Sequence, residues 1–327
     1  MKEVRVIAPS MSLNKTDMAK IKKMKKYFMK LGYLVTTGKY IFDKEGFFTC
    51  SSIQNRVTDL MEAFLDRNVE IIICANGGYN VNQILPYLDY KTIEQNPKII
   101  VGYSDITALL IAIMNKTGLV TYYGPMLSGF VRGDKYTMQY FEKILSNEDI
   151  RIFPSKRIYD YKRLNDGIEK VTLKNGGMIT IQEGVGYGKI IGGNLCTLNL
   201  LQGTEYMPKL NNCILFLEDD ADDFNTDVFL LEFDRNLESL LQLPNCKING
   251  IVFGRFQLCS NMTIGKLTAV IKNKEKLKDI PIVSGVDFGH TNPMITIPLG
   301  AYCKLNSKEN NIEIKIERRI LNEDTKC

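Results

Sequence analysis

Apolar positions in the first half of the chain switch repeatedly between a continuous run and a helical period. Val4–Ala8 is a short apolar run, followed after a Pro-Ser loop by a lysine-rich amphipathic segment near Thr16–Lys30. Tyr33–Thr37 reads as the next strand. Val57, Leu60, Met61, Phe64 and Leu65 then recur at helical spacing across Val57–Arg67. Glu70–Cys74 is a buried-strand run that stops at Asn76-Gly77-Gly78. Val81–Tyr90 is expected to be helical up to Asp89, Lys98–Val101 to be a strand and Thr107–Asn115 to be a helix. This alternation predicts right-handed crossovers and a parallel sheet. In such sheets, sites form at the carboxyl ends of the strands.

The rhythm changes near Asn147–Asp166, where charged and turn residues dominate. With 327 residues the chain has room for two domains of about 100–200 residues each. Residues 147–168 are therefore expected to connect an N-terminal domain (1–146) to a C-terminal one (169–327). The tyrosines and basic residues of this stretch fit a solvated connector better than a nucleotide contact. Beyond it come glycine-rich turns and short strands at Tyr187–Asn194, Cys213–Leu217, Gly250–Phe253, Pro281–Gly285 and Ile295–Ile297. Helical patterns at Asp227–Leu241 and Met262–Lys272 interrupt them. The second domain is expected to be mixed α/β and strand-rich.

Composition narrows the class. Hydrophobic residues make up 45% and charged ones 24%, enough apolar content for a buried core. The net charge is +5, and the basic residues are scattered, which argues against a nucleic-acid binder with its concentrated basic face. The apolar run at the N-terminus is too short and too charged for a signal segment. No stretch approaches the ~18 apolar residues of a membrane span. The eight cysteines form no Cys-x-x-Cys pair, and several lie in apolar runs. These features predict a cytoplasmic protein with reduced thiols and no membrane partner.

Candidate chemistry begins with the only histidine, His290, in Gly289-His290-Thr291. It is the chain's one side chain whose ordinary pKa suits proton shuttling at neutral pH. Upstream, an apolar strand runs into Gly102-Tyr103-Ser104-Asp105 and a helix follows at once. Such a corner raises a serine hydroxyl above the sheet, at a helix N-terminus that favours developing negative charge. A second glycine is missing from the corner, where Ile106 stands, and a helix-capping serine is the competing explanation. Cys213–Leu217 ends at Glu218, placed to orient the histidine; the acids after it read as the approach to a helix, with Asp222, Asp223 and Asn225 as caps. Gly77-Gly78 lets backbone N–H groups come close to a ligand, so the Gly78 and Asp105 amides are the candidate oxyanion donors, although a turn or a phosphate loop fits the pair as well. Two other classes are weaker. A nucleotide-binding module lacks Gly-x-Gly-x-x-Gly after the first strand and any Gly-Lys-Ser/Thr loop. A metallohydrolase has only carboxylates to draw on. Cys74, inside an apolar strand, reads as an inert core thiol. Arg255 is a conceivable carboxylate reader and more simply a salt-bridge partner.

Taken in order, these residues resemble the LD-carboxypeptidase family of serine peptidases. The resemblance is carried by Gly77-Gly78-Tyr79, Gly102-Tyr103-Ser104-Asp105, Gly124-Pro125-Met126, Gly192-Gly193-Asn194-Leu195, Leu217-Glu218-Asp219 and Gly289-His290. It implies a Ser104–Glu218–His290 triad, no cofactor and no metal. It also implies a Rossmann-like N-terminal domain, a smaller C-terminal domain, a site between them and a homodimer. One branch of the family removes terminal D-alanine from muramoyl tetrapeptides. The other resembles the microcin C immunity peptidase, which cleaves peptidyl- or aminoacyl-nucleotide analogues. The sequence Gly77-Gly78-Tyr79-Asn80-Val81-Asn82-Gln83 is closer to the second branch, making Gly77, Tyr79, Asn80 and Met126 substrate-binding candidates. The chain has no tryptophan, so a tyrosine or phenylalanine would have to replace the ring that stacks on the nucleobase in that branch.

Overall fold

The computed structural model describes residues 2–164, 167–221 and 226–316. The first sheet has six strands in the order Ile297–Leu299, Thr121–Tyr123, Ile99–Gly102, Val69–Cys74, Glu3–Ile7, Leu34–Thr37. Five run parallel, and helices such as Met18–Lys30, Ile53–Leu65 and Thr107–Thr117 lie along the connections. Such strands are covered on both faces, and Ile71, Ile72, Ile73 and Cys74 are fully buried. The order reverses between Glu3–Ile7 and Val69–Cys74, which opens a crevice at their carboxyl ends. There the Met11 N–H donates to the Gly77 carbonyl at 3.1 Å. The N-terminal half is thus the parallel-sheet unit that the alternating pattern predicts and the Rossmann-like domain that the family resemblance implies.

The second sheet has eight strands. Its middle is parallel, formed by Val185–Asn194, Asn211–Glu218, Lys247–Gly254 and Ile282–Val286. Antiparallel strands flank this core on both sides. Residues 147–168, expected as a connector, supply the edge strand Ile150–Arg151 and the strand Arg157–Leu164. The latter pairs with Gly167–Lys174 in a separate ribbon, with residues 165 and 166 outside the described part. Tyr159 of this ribbon exchanges backbone hydrogen bonds with Asn292, just after the histidine.

Two helical expectations shift for local reasons. Val81–Tyr87 is a 3₁₀ segment containing Pro86, which has no N–H and clashes with a preceding carbonyl in an α-helix. A separate helix, Tyr90–Gln95, starts after Asp89, whose carboxylate accepts the Thr92 N–H at 3.0 Å. The helix expected from Thr16 begins at Met18, after a 3₁₀ turn. The caps read at Asp222, Asp223 and Asn225 lie outside the described residues. Among the described residues no helix is long and apolar enough to cross a membrane, and all seven cysteines are free thiols.

Strand pairing and a close helix contact are among the links that stitch the halves together. Ile297–Leu299, from the C-terminal half, pairs antiparallel with Thr121–Tyr123 of the first sheet. The strand Val185–Asn194 ends against the helix Thr107–Thr117, where the Asn194 N–H donates to Thr107 Oγ1 at 3.1 Å. Gly193 makes this approach possible. Its φ is +120°, and a Cβ there would lie 2.7 Å from Thr107 Cγ2 and 3.0 Å from a Tyr123 ring carbon. Gly193→Ala is expected to cost about 2 kcal/mol or more, combining backbone strain with overpacking. Chemical denaturation checks this, and an unchanged midpoint would show that the junction repacks freely.

Candidate active site

The strand Ile99–Gly102 ends two residues before Ser104, which has φ +62° and opens the 3₁₀ turn Ser104–Ile106. A left-handed backbone costs a residue with a Cβ roughly 1–2 kcal/mol, so the surroundings must hold it in place. Part of that hold is the Thr107 hydroxyl, which donates to the Ser104 carbonyl at 2.6 Å. Neither the turn nor the helix Thr107–Thr117 receives a side-chain cap, so the competing reading of Ser104 as a helix cap is not realised.

Gly77 lies directly beside this serine. A Cβ on it would sit 3.0 Å from Ser104 Cβ and 3.1 Å from Oγ, so any side chain would crowd the hydroxyl. The neighbouring loop is organised from below by the buried Asp105 carboxylate. It accepts the Ser10 hydroxyl and the N–H groups of Asn80 and Val81, both at 2.9 Å. Arg56, also buried, donates to the Asn80 and Pro9 carbonyls and to Gln83 Oε1. Asn80 therefore contributes its backbone to the scaffold, and it does not line the cavity described below.

Glu218 occupies the last position of the strand Asn211–Glu218 and is 1% exposed. Its Oε2 accepts from His290 Nδ1 at 2.8 Å and from the His290 backbone N–H at 3.2 Å. Its Oε1 accepts from the Tyr123 hydroxyl at 2.6 Å and from Asn194 Nδ2 at 3.2 Å. Burial opposes the charge on Glu218. The His290 charge and the hydrogen bonds from His290, Tyr123 and Asn194 outweigh burial and keep its pKa below the ordinary value. Gly289 has φ +97°, and a Cβ there would run into the Glu218 side chain, so only glycine brings the histidine backbone this close.

Burial by itself would lower the His290 pKa. The Glu218 charge and hydrogen bond, with Asp220 and Asp219, raise it instead to about 9. The other ring nitrogen, Nε2, is 3.8 Å from Asp220 Oδ2, and the ring meets Tyr103 edge-on at 5.1 Å. Asp219 is pushed well up, by burial first and then by Glu218 and Asp220.

A cavity of about 760 Å³ joins these pieces. Ser104, His290, Gly77, Gly78, Tyr79 and Met126 all line it, as does Asp105. Arg255 does not: it binds Asp287 at 2.6 Å and the Gly285 carbonyl at 2.9 Å, as a structural salt bridge. Burial drives the Cys74 thiol far up, which removes it as a nucleophile. Among the described residues no group of three or more His, Cys, Asp or Glu is placed to hold a metal ion. Two contributors escape the pattern of the sequence. Asn194 stands in a glycine-rich run that marked its backbone rather than its amide. Tyr123 looks like any apolar strand residue, and only the three-dimensional arrangement reveals its hydroxyl.

Residues 4–124 match the LD-carboxypeptidase N-terminal domain and residues 187–305 the LD-carboxypeptidase C-terminal domain. YocD of Bacillus subtilis, a carboxypeptidase by name, is 42% identical over 321 residues, covering 97% of each chain. The microcin C7 self-immunity protein MccF of Escherichia coli is 33% identical over 306 residues, 88% of this chain and 86% of its own. MccF has been solved in complex with glutamyl sulfamoyl guanosine and with aspartyl sulfamoyl adenosine. A crystal structure of an MccF-like protein from Bacillus anthracis superposes with a TM-score of 0.90 at 44% identity, covering 97% of both chains. With the fold, both domain signatures and these relatives in agreement, the chain belongs to the LD-carboxypeptidase family of peptidases.

Proposed function

We propose that the protein is a serine carboxypeptidase or amidase in which Ser104, His290 and Glu218 act as a triad on a small peptide conjugate. The observation that carries this is the 2.8 Å contact between Glu218 and His290 Nδ1, in a cavity that Ser104 also lines from its strained turn. In the first step Ser104 Oγ attacks the substrate carbonyl carbon while its proton passes to His290 Nε2. The carbonyl electron pair moves onto oxygen, where the Gly78 and Asp105 N–H groups receive it. His290 then delivers the proton to the leaving nitrogen as the C–N bond breaks. A water molecule, deprotonated by His290, attacks the acyl-enzyme, and Ser104 leaves with the proton. Glu218 stays ionised throughout and holds the imidazolium.

The favoured substrate class is a peptidyl- or aminoacyl-nucleotide analogue. The likeness to MccF, which binds aminoacyl sulfamoyl nucleosides, supports it, and the cavity volume is in the range of sites for such ligands. Tyr79, 74% exposed at the cavity, offers the ring face that a base requires. A second reading, release of D-alanine from a muramoyl tetrapeptide, has the LD-carboxypeptidase domain matches in its favour. Side-by-side hydrolysis assays with aspartyl sulfamoyl adenosine and an LD-linked muramoyl tetrapeptide separate the two. We expect the nucleoside conjugate alone to be cleaved, and cleavage of the muropeptide alone would reverse the assignment.

Ser104→Ala is expected to lower kcat by about 10⁴-fold or more while the melting temperature stays unchanged. Turnover retained by that variant would remove Ser104 as nucleophile. The pH dependence follows from the raised His290 pKa, since the ring must be neutral to accept a proton. In the free enzyme kcat/KM should therefore climb from neutral pH and level off above about 9. Protonated His290 also stabilises the fold at acidic and neutral pH, a contribution lost as pH rises through the same value. An acidic limb centred near the ordinary value of 6.5 would contradict the electrostatic arrangement.

A further inference from the structure

We propose that Tyr123 is a positioning residue that couples the nucleophile's turn to the carboxylate orienting the base, a role that rests on the triad reading above. Its hydroxyl sits between the two. It accepts the Ser104 backbone N–H at 3.3 Å and donates to Glu218 Oε1 at 2.6 Å. The tyrosine is 1% exposed, at the end of the strand Thr121–Tyr123 beside Gly102. Phe288 and Tyr103 pack edge-on against its ring, at 6.4 and 6.2 Å between centroids. Rigid packing on both flanks leaves the hydroxyl little choice of partner.

Two consequences follow for the chemistry. The Ser104 amide is spent on the tyrosine, which leaves the Gly78 and Asp105 amides as the donors for an oxyanion. Secondly, the short bond to Oε1 draws negative charge away from the side of Glu218 that faces His290. Tyr123 thus moderates how strongly the carboxylate holds a proton on the base. Among the described residues, Glu218, Asp220 and Asp219 act on His290, Tyr103 meets its ring edge-on, and the Arg132 charge acts in turn on Tyr103.

A fluorophosphonate probe tests this without any assumption about substrate. The Ser104 Oγ–phosphorus bond forms as the phosphorus–fluorine bond breaks, and the hydroxyl proton goes to His290. Labelling rates across pH are compared for wild type, Tyr123→Phe and a protein carrying 3-fluorotyrosine at position 123, with Ser104→Ala as the blank. In Tyr123→Phe labelling should slow by about tenfold or more, the rate equivalent of one hydrogen bond to a charged group, and its acidic limb should move to higher pH. Fluorotyrosine, a stronger donor of the same shape, should move the limb to lower pH. A tyrosine that merely fills space predicts no movement in either protein, and that result overturns the role. If Tyr123→Phe fails to fold, the direction of the fluorotyrosine shift decides alone. Wild type that is not labelled at Ser104 overturns the nucleophile assignment itself, an outcome distinct from normal labelling with an unmoved limb.

Discussion

A carboxylate sealed from solvent at the end of a strand sets the terms for this molecule. Removing an ionised group from water costs several kcal/mol unless hydrogen bonds replace its hydration. Glu218 receives four: the His290 ring, the His290 backbone, the Tyr123 hydroxyl and the Asn194 amide. The donors come from different parts of the chain, so satisfying the charge fixes those parts relative to one another. Tyr123 belongs to the first sheet, while Asn194 and Glu218 belong to the second. Burial of one charge therefore aligns the two halves and the proposed triad at the same time.

The side of the proposed nucleophile is built on a complementary constraint. Ser104 is held in a strained conformation by a turn whose underside is the Asp105 carboxylate, itself satisfied by Ser10, Asn80 and Val81. One acid supports the serine loop and another supports the histidine loop. Neither has to change protonation in the proposed cycle. Their task is to keep backbone groups pointed at the cavity.

Much of this was legible in the chain. Val4–Ala8, Glu70–Cys74 and Lys98–Val101 are dense apolar runs because parallel strands are covered on both faces, and that pattern is hard to mistake. Ser104 and His290 stand out because each follows an apolar run beside glycines, and Glu218 because it is an acid that ends one. Side-chain hydrogen bonds between distant segments leave no such trace. Nothing around Tyr123 distinguishes a packed ring from a ring whose hydroxyl reaches a carboxylate 95 residues away. The stretch 147–168 reads as a connector because its strands are rich in charged residues and paired at an edge or in a ribbon, where alternation is weak. Pro86 was visible, yet the helical spacing around it masked the break it causes.

The antiparallel strand Ile297–Leu299 has one more implication, for how the protein can be divided. Cut at residue 146, the N-terminal half would present Thr121–Tyr123 as a bare sheet edge, with backbone donors and acceptors ready to recruit another chain. That edge carries the tyrosine whose hydroxyl would then have lost Glu218. The two halves are separate sheets but interleaved in sequence, so neither is an autonomous module, and the protein must be moved, fused or truncated as a single unit.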